Sequence, residues 1–243
     1  MNSLTDRVHV MDYLRGLAAF GIVIFHCRVD LWVGWHEIRN NPDQYSGFDH
    51  AMSWLSGPAP FLGFGVMLFF IISGFCIHYA NSGKTSKYSP FRYIVRRVIR
   101  LYPPYLVAVI LSFFIEMILE KYFSIHTSNS MKVFSSLFFL QGTVQMYSNP
   151  SLWSLPVEMQ FYGLYILLLP MISLLGVVLP AILIIVLFIG SVYLLLNGGL
   201  WIGSSFSYYL PFFFAGMLLS MGYQKKCLPR LKFLGITGLV LSF

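Results

Sequence analysis

Arg15 and His26 stand with ten residues between them in an otherwise apolar run. Histidine exchanges a proton near neutral pH, the property needed to take one from an attacking hydroxyl. On a helix the two residues would be about 16 Å apart along the axis, too far to share one ion pair but placed to serve opposite ends of a buried path. The plainer reading stays open: Arg15 as a topology anchor snorkelling to headgroups, and His26 as a hydrogen-bonded histidine at the outer interface.

Glu158 is the last acid of the chain and heads the apolar run Val157 to Ile172. A carboxylate there is costly unless it faces a polar cavity or meets a partner. Trp153, Ser154, Leu155 and Pro156 precede it, while Gln160, Tyr162 and Tyr165 add polar groups. Beside His26 it would orient the imidazole and stabilise its protonated form; helix capping accounts for Ser154 and Glu158 equally well.

A third constellation runs from Arg92 through Arg96, Arg97 and Arg100 to Pro103 and Pro104, an amphipathic approach to a crossing. Arg96 and Arg97 lie four and three residues before Arg100, so a shared helical face is available to hold phosphates through guanidinium bonds. Anchoring on anionic lipid explains the same charges.

Other chemistries fit less well. Gly83, Lys84 and Thr85 resemble the end of a phosphate-binding loop, but His78 stands where its first glycine belongs, which rejects nucleotide hydrolysis. The remaining histidines, His9, His36, His50, His78 and His126, form no zinc pattern, and no metal is expected. Cys27, Cys76 and Cys227 have neither zinc spacing nor the even number of a disulfide framework.

The elements that position these residues belong in a bilayer. The 243 residues are 57% hydrophobic and 10% charged, against roughly 25% charged in a soluble domain. Apolar segments cover about Tyr13 to Cys27, Pro60 to Ala80, Leu101 to Leu119, Val157 to Ile172, Val177 to Leu196 and Ser207 to Met221. The expected fold is all-α, a polytopic transmembrane helical bundle of six complete crossings, with a seventh opening at Leu231. Phe134 to Leu140 is too short to cross and reads as re-entrant or interfacial. The last run stops at Phe243, too short to span, so the single membrane domain 1–243 is expected to be C-terminally incomplete. Asp6, Arg7, His9, Asp12 and Arg15, with no cleavage signature after the first run, favour a retained first helix over a signal peptide.

The net charge of +7 does not point to nucleic acid, because its basic residues gather beside apolar segments. Arg28 to Ala59 holds two basic and four acidic residues, whereas Asn81 to Arg100 holds six basic and no acidic ones. The positive-inside rule then puts the first connection outside, the second inside, and the N-terminus in the cytoplasm. Lys225, Lys226, Arg230 and Lys232 fall inside by the same count.

Four pieces together resemble the membrane-bound acyltransferase family three, the O-acyltransferases of bacterial surface polysaccharides. They are Asp12 to Gly16 with His26; Gly65 to Phe75; Arg96 to Arg100 with Pro103 and Tyr105; and Trp153 to Tyr162. The resemblance implies a multi-pass protein of the inner membrane with about ten crossings. It also implies transfer of an acyl group, by default acetyl, from cytoplasmic acyl-coenzyme A to a carbohydrate hydroxyl. It carries catalytic importance onto Arg15 and His26, with Glu158 retained, and donor binding onto Arg97 and Arg100. Met67 and Met159 stand where the family often has acids. Two alternatives use the same residues differently: a transporter of a polar surface precursor, with ionisable groups as stations along a path, or an inactive truncated remnant.

Overall fold

The computed structural model describes residues 9–82, 89–123, 130–140, 149–197 and 204–225. The expected seventh segment, Lys84, Lys87, Lys226, Arg230, Lys232, Cys227 and His126 lie outside the described residues. The described chain contains helices and no strand. Its contacts separate two units, Met1–Ile77 with Ala215–Phe243, and His78–Phe214.

The first unit opens with α1 (His9–Leu31), whose first turn holds Asp12 and whose last turn holds Arg28, both favourable to the helix dipole. Arg28 Nη1 also donates to the Trp32 carbonyl at 3.0 Å, just past the helix end. Two short helices follow, α2 (Trp35–Asn40) and α3 (Gly47–Leu55). Ser46 and Asp49 close a capping box at the start of α3, each satisfying a backbone amide of the other. A 3-10 turn, Ala59–Phe64, leads into α4 (Gly65–Asn81), and the two together form the second apolar segment.

Glycines set the spacing here. A Cβ on Gly65 would stand 3.0 Å from the Ala18 carbonyl oxygen and from Ile22 Cγ1 of α1, and one on Gly63 would stand 3.3 Å from the Phe25 ring. Small residues let membrane helices approach until backbones touch. The tightest such place was not foreseen. A Cβ on Gly216, in α9 (Ser204–Gln224), would overlap the Ile71 carbonyl of α4 and stand 2.8 Å from the Phe75 nitrogen.

The second unit is organised along α5 (Pro90–Phe123), a single helix of 34 residues. At 1.5 Å per residue it is about 51 Å long, well beyond a hydrocarbon core of roughly 30 Å. The basic approach and the third crossing are therefore one element. Pro103 and Pro104 sit inside it and leave the carbonyls of Ile99 and Arg100 without their helical donors, at exposed positions where other donors have access.

Tyr102, Tyr105, Val109, Ser112 and Glu116 recur at alternating spacings of three and four, which makes one stripe of α5. The run read as too short to cross forms α6 (Ser130–Leu137) and docks on that stripe. Tyr102 and Tyr105 hydroxyls donate to the carbonyls of Leu137 at 3.3 Å and Ser136 at 2.6 Å, which satisfies the open end of α6. Phe139, at φ 59°, turns the chain and stacks on Tyr105 at 4.5 Å. Farther along the stripe, Asn149 Nδ2 donates to Ser112 Oγ at 3.1 Å, and the buried Glu116 lies within electrostatic reach of Lys132.

Helices α7 (Ser154–Leu175) and α8 (Val178–Leu196) complete the unit with the first part of α9. Gly176 ends α7 at φ 75°, a conformation open to glycine, and its amide still reaches the Ile172 carbonyl at 3.1 Å. Ser191 of α8 and Ser207 of α9 share a hydroxyl hydrogen bond, and Phe161 stacks on Phe213 at 5.1 Å. Among the described residues, five helices are long and apolar enough to cross a membrane. The sixth expected crossing does form α9, with 21 residues, but Ser207, Tyr208, Tyr209, Pro211 and Ser220 leave it too polar to be counted with them. The molecule is an all-α polytopic membrane protein.

Two outcomes follow from this packing. Gly216→Ala is expected to lower the melting temperature in detergent, since backbone must move, whereas Gly163→Ala on α7 meets open space and is expected to leave it equal or higher. Equal melting temperatures for the two variants would contradict the close approach of α4 and α9. The second concerns Asp49, whose carboxylate accepts from the Ser46 hydroxyl at 2.6 Å and the Ser46 amide at 2.9 Å. Those bonds, the hydroxyl first, hold its pKa below the ordinary 3.8. A lowered folded-state pKa contributes stability above the unfolded value that is lost as pH falls through the folded one. Amide-exchange protection of α3 is thus expected to hold above about pH 4 and to decline below it, with Ser46→Ala reducing protection at neutral pH.

Candidate active site

The N-terminal half of α7 carries a polar face because Glu158, Tyr162 and Tyr165 recur at four and three residues. Pro156 is tolerated in the first turn, where amides have no helical acceptor. Glu158 is half-buried and accepts a hydrogen bond from the hydroxyl of Tyr162, one turn along. Tyr162 itself is 6% exposed.

Helix α5 meets this face with a second pair at the same spacing, Tyr93 and Arg97. The Arg97 guanidinium lies 5.5 Å from the centre of the Tyr93 ring and 5.4 Å from that of Tyr162. Both fall within cation–π range, where ring faces attract a charge that has lost water. Tyr93 continues onto Tyr165 at 5.4 Å, and the Tyr165 hydroxyl lies 3.4 Å from Nδ1 of the buried His78. A connected cluster thus runs from His78 through Tyr165, Tyr93, Arg97 and Tyr162 to Glu158. Arg96 and Arg100, the neighbours on the same helix, are exposed.

In the first unit, Arg15 is half-buried on α1. Its Nη1 stands 3.8 Å from Asp12 Oδ1 and its Nη2 3.8 Å from Cys76 Sγ on α4. His26 is half-buried eleven residues on, with its ring edge-on to Phe25 at 5.2 Å. Both sit on the single helix that the sequence required. His26 belongs to the first unit and Glu158 to the second. Among the described residues no group of three His, Cys, Asp or Glu is placed to hold a metal ion.

The sequence pairs Arg97 with Arg100 by spacing and sets Glu158 beside His26 as a partner. The structure adds a link between Arg97 and Glu158 through Tyr162. The signal was present as two spacings of four, Tyr93 with Arg97 and Glu158 with Tyr162, but nothing in one sequence says that those faces meet. His78 and Glu116 were also passed over, although each is a polar residue inside an apolar segment, which is itself a signal.

Helices long and apolar enough to cross a membrane, two of them joined by a cluster of buried tyrosines and half-buried charges, define a polytopic membrane protein. The sequence profile of an acyltransferase domain, acyltransferase family 3, matches residues 8–243, and the chain belongs to that family. It is a membrane acyltransferase, transferring groups other than amino-acyl groups. No curated protein and no solved structure matches the chain.

The cluster makes a structural prediction that needs no substrate. Arg97→Ala uncovers two tyrosine faces and is expected to lower stability by about 0.5–2 kcal/mol, while Arg96→Ala, at an exposed position, is expected to change it little. Thermal unfolding of the two variants in one detergent checks this, and matching melting temperatures would dissolve the cluster.

Proposed function

We propose that this membrane acyltransferase moves an acyl group, acetyl by default, from cytoplasmic acyl-coenzyme A to a hydroxyl of a cell-surface carbohydrate or its precursor. The observation that carries the reading is the arginine-bearing cluster of α5 and α7 in a chain of the acyltransferase family. A guanidinium resting on aromatic faces keeps its N–H rim for planar, multidentate contact with phosphate oxygens. Arg97, with the exposed Arg100 one turn on, is assigned to the phosphates of the donor.

His26 is assigned as the general base. It takes the proton of the acceptor hydroxyl while that oxygen bonds to the acyl carbonyl carbon. The carbon–sulfur bond then breaks, the departing coenzyme A thiolate gains a proton, and the products are an O-acyl ester and free coenzyme A. Arg15 offsets negative charge that develops on the acyl oxygen or the donor. Glu158 is assigned to support the protonated imidazole. The basic connection before α5 is assigned to the cytoplasm together with the N-terminus, in the inner membrane of a bacterium.

Acyl transfer by the full-length protein in nanodiscs tests the assignment, with His26→Ala expected to lower turnover by roughly 10²- to 10⁴-fold. Normal turnover in that variant would remove His26 from the chemistry. Donor binding is separable from topology. Arg97→Lys and Arg100→Lys keep the charge but lose the guanidinium fork, so acyl-coenzyme A affinity is expected to fall in both, with insertion orientation unchanged. Unchanged affinity in correctly inserted variants would return the basic run to anchoring alone.

A further inference from the structure

We infer that Tyr162 is the positioning residue that couples the donor-side arginine to the acid: its ring face holds the Arg97 guanidinium while its hydroxyl holds the Glu158 carboxylate. The inference rests on the proposed assignment of Arg97 to donor phosphates and adds a residue that this assignment does not need. Tyr162 is 6% exposed, whereas Arg97 and Glu158 at its two ends are only half-buried. Solvent and substrate therefore reach both charged groups but scarcely reach the side chain that joins them. The phenol touches both groups, so through it the position of one constrains the other.

The two contacts of one side chain have different chemistry and can be removed one at a time. The cation–π contact needs the ring and not the hydroxyl. The hydrogen bond to the carboxylate needs the hydroxyl and not the ring, and bonds to charged groups are the stronger class. A side chain that merely filled space would show neither distinction.

The arrangement also separates Tyr162 from the other tyrosines of the cluster. Tyr93 touches Arg97 from within the same helix, one turn away. Tyr165 lies against Tyr93 and His78. Tyr162 is the residue that reaches from α7 to the arginine of α5 and also bonds the acid of its own helix.

The experiment uses the full chain in nanodiscs, with coenzyme A binding measured by calorimetry and steady-state acyl transfer measured beside it. Tyr162→Phe keeps the ring: KM for acyl-coenzyme A and coenzyme A affinity are expected to stay within about twofold of wild type, while kcat falls roughly tenfold or more. Tyr162→Leu removes both contacts: the same loss of kcat is expected, now with a several-fold weaker donor affinity of the size a cation–π contact supplies, about two- to tenfold. Should the leucine variant fail to insert, Tyr162→Met makes the same test. In a Glu158→Gln background, Tyr162→Phe is expected to have little further effect on kcat, because the two residues then act as one unit. Wild-type kcat in Tyr162→Phe, or equal donor affinity in the phenylalanine and leucine variants, overturns the coupling. If Arg97→Lys weakens donor binding while both Tyr162 variants behave as wild type, the coupling alone fails. If the wild-type chain binds no coenzyme A, the donor assignment fails and the coupling with it.

Discussion

A guanidinium drawn partly away from water gains from a counter-charge or an aromatic face, because less solvent remains to share its charge. Arg97 has two such faces, Tyr93 from its own helix and Tyr162 from α7. This contact sets the rotation of both helices. Tyr93 can reach Arg97 only because they lie four apart on α5, and Tyr162 can reach Glu158 for the same reason on α7. Turning either helix by one residue would rotate its side chains by about 100° and carry the arginine away from its rings. The remainder of the cluster, Tyr165 on Tyr93 and His78 at the Tyr165 hydroxyl, follows from that registration.

The same constraint governs the backbone. In hydrocarbon each amide and carbonyl has to be satisfied within the protein, which is why the described chain is helical. Where a helix stops short, side chains take over. The end of α6 is closed by the hydroxyls of Tyr102 and Tyr105, whereas the connection between α1 and α4 uses a capping box built from Ser46 and Asp49. The tyrosines of α5 therefore serve two purposes on two faces: Tyr102 and Tyr105 close a short helix, and Tyr93 holds a charge.

Much of the helical layout was legible in the sequence, because an uninterrupted apolar run has few other solutions. The segments that became α1, α4, α7 and α8 were all read near their final places. The division of α5 was not, since Arg92 to Pro104 has a different composition from Leu101 to Leu119 and the proline pair looks like a boundary. Composition changes along α5 while its backbone does not, apart from two carbonyls without helical donors. For the site, the residue types were readable and their partners were not. Arg97 and Arg100 share a face by spacing, but which face meets another helix is decided by packing across more than sixty residues of chain. The glycines illustrate the same limit. Gly63 and Gly65 stand in a glycine-rich stretch and announce themselves, whereas Gly216 looks ordinary until the Ile71 carbonyl is found against it.

The contacts along α5 run broadly in reverse chain order. Contacts pair Ser112 with Asn149, Tyr105 with Ser136, Arg97 with Tyr162 and Tyr93 with Tyr165, and Glu116 lies within electrostatic reach of Lys132. The half of α5 nearest Glu116 is covered by α6 and the Asn149 turn, and only the half nearest Arg97 is covered by α7. Helix α7 therefore begins partway along α5 rather than opposite its far end. Glu158, near the start of α7, is half-buried there. The hydroxyl of Tyr162 donates to it, and the Tyr162 ring holds the Arg97 guanidinium nearby. A short helix too small to cross the membrane thus covers one part of α5, and α7 covers the part that bears Arg97.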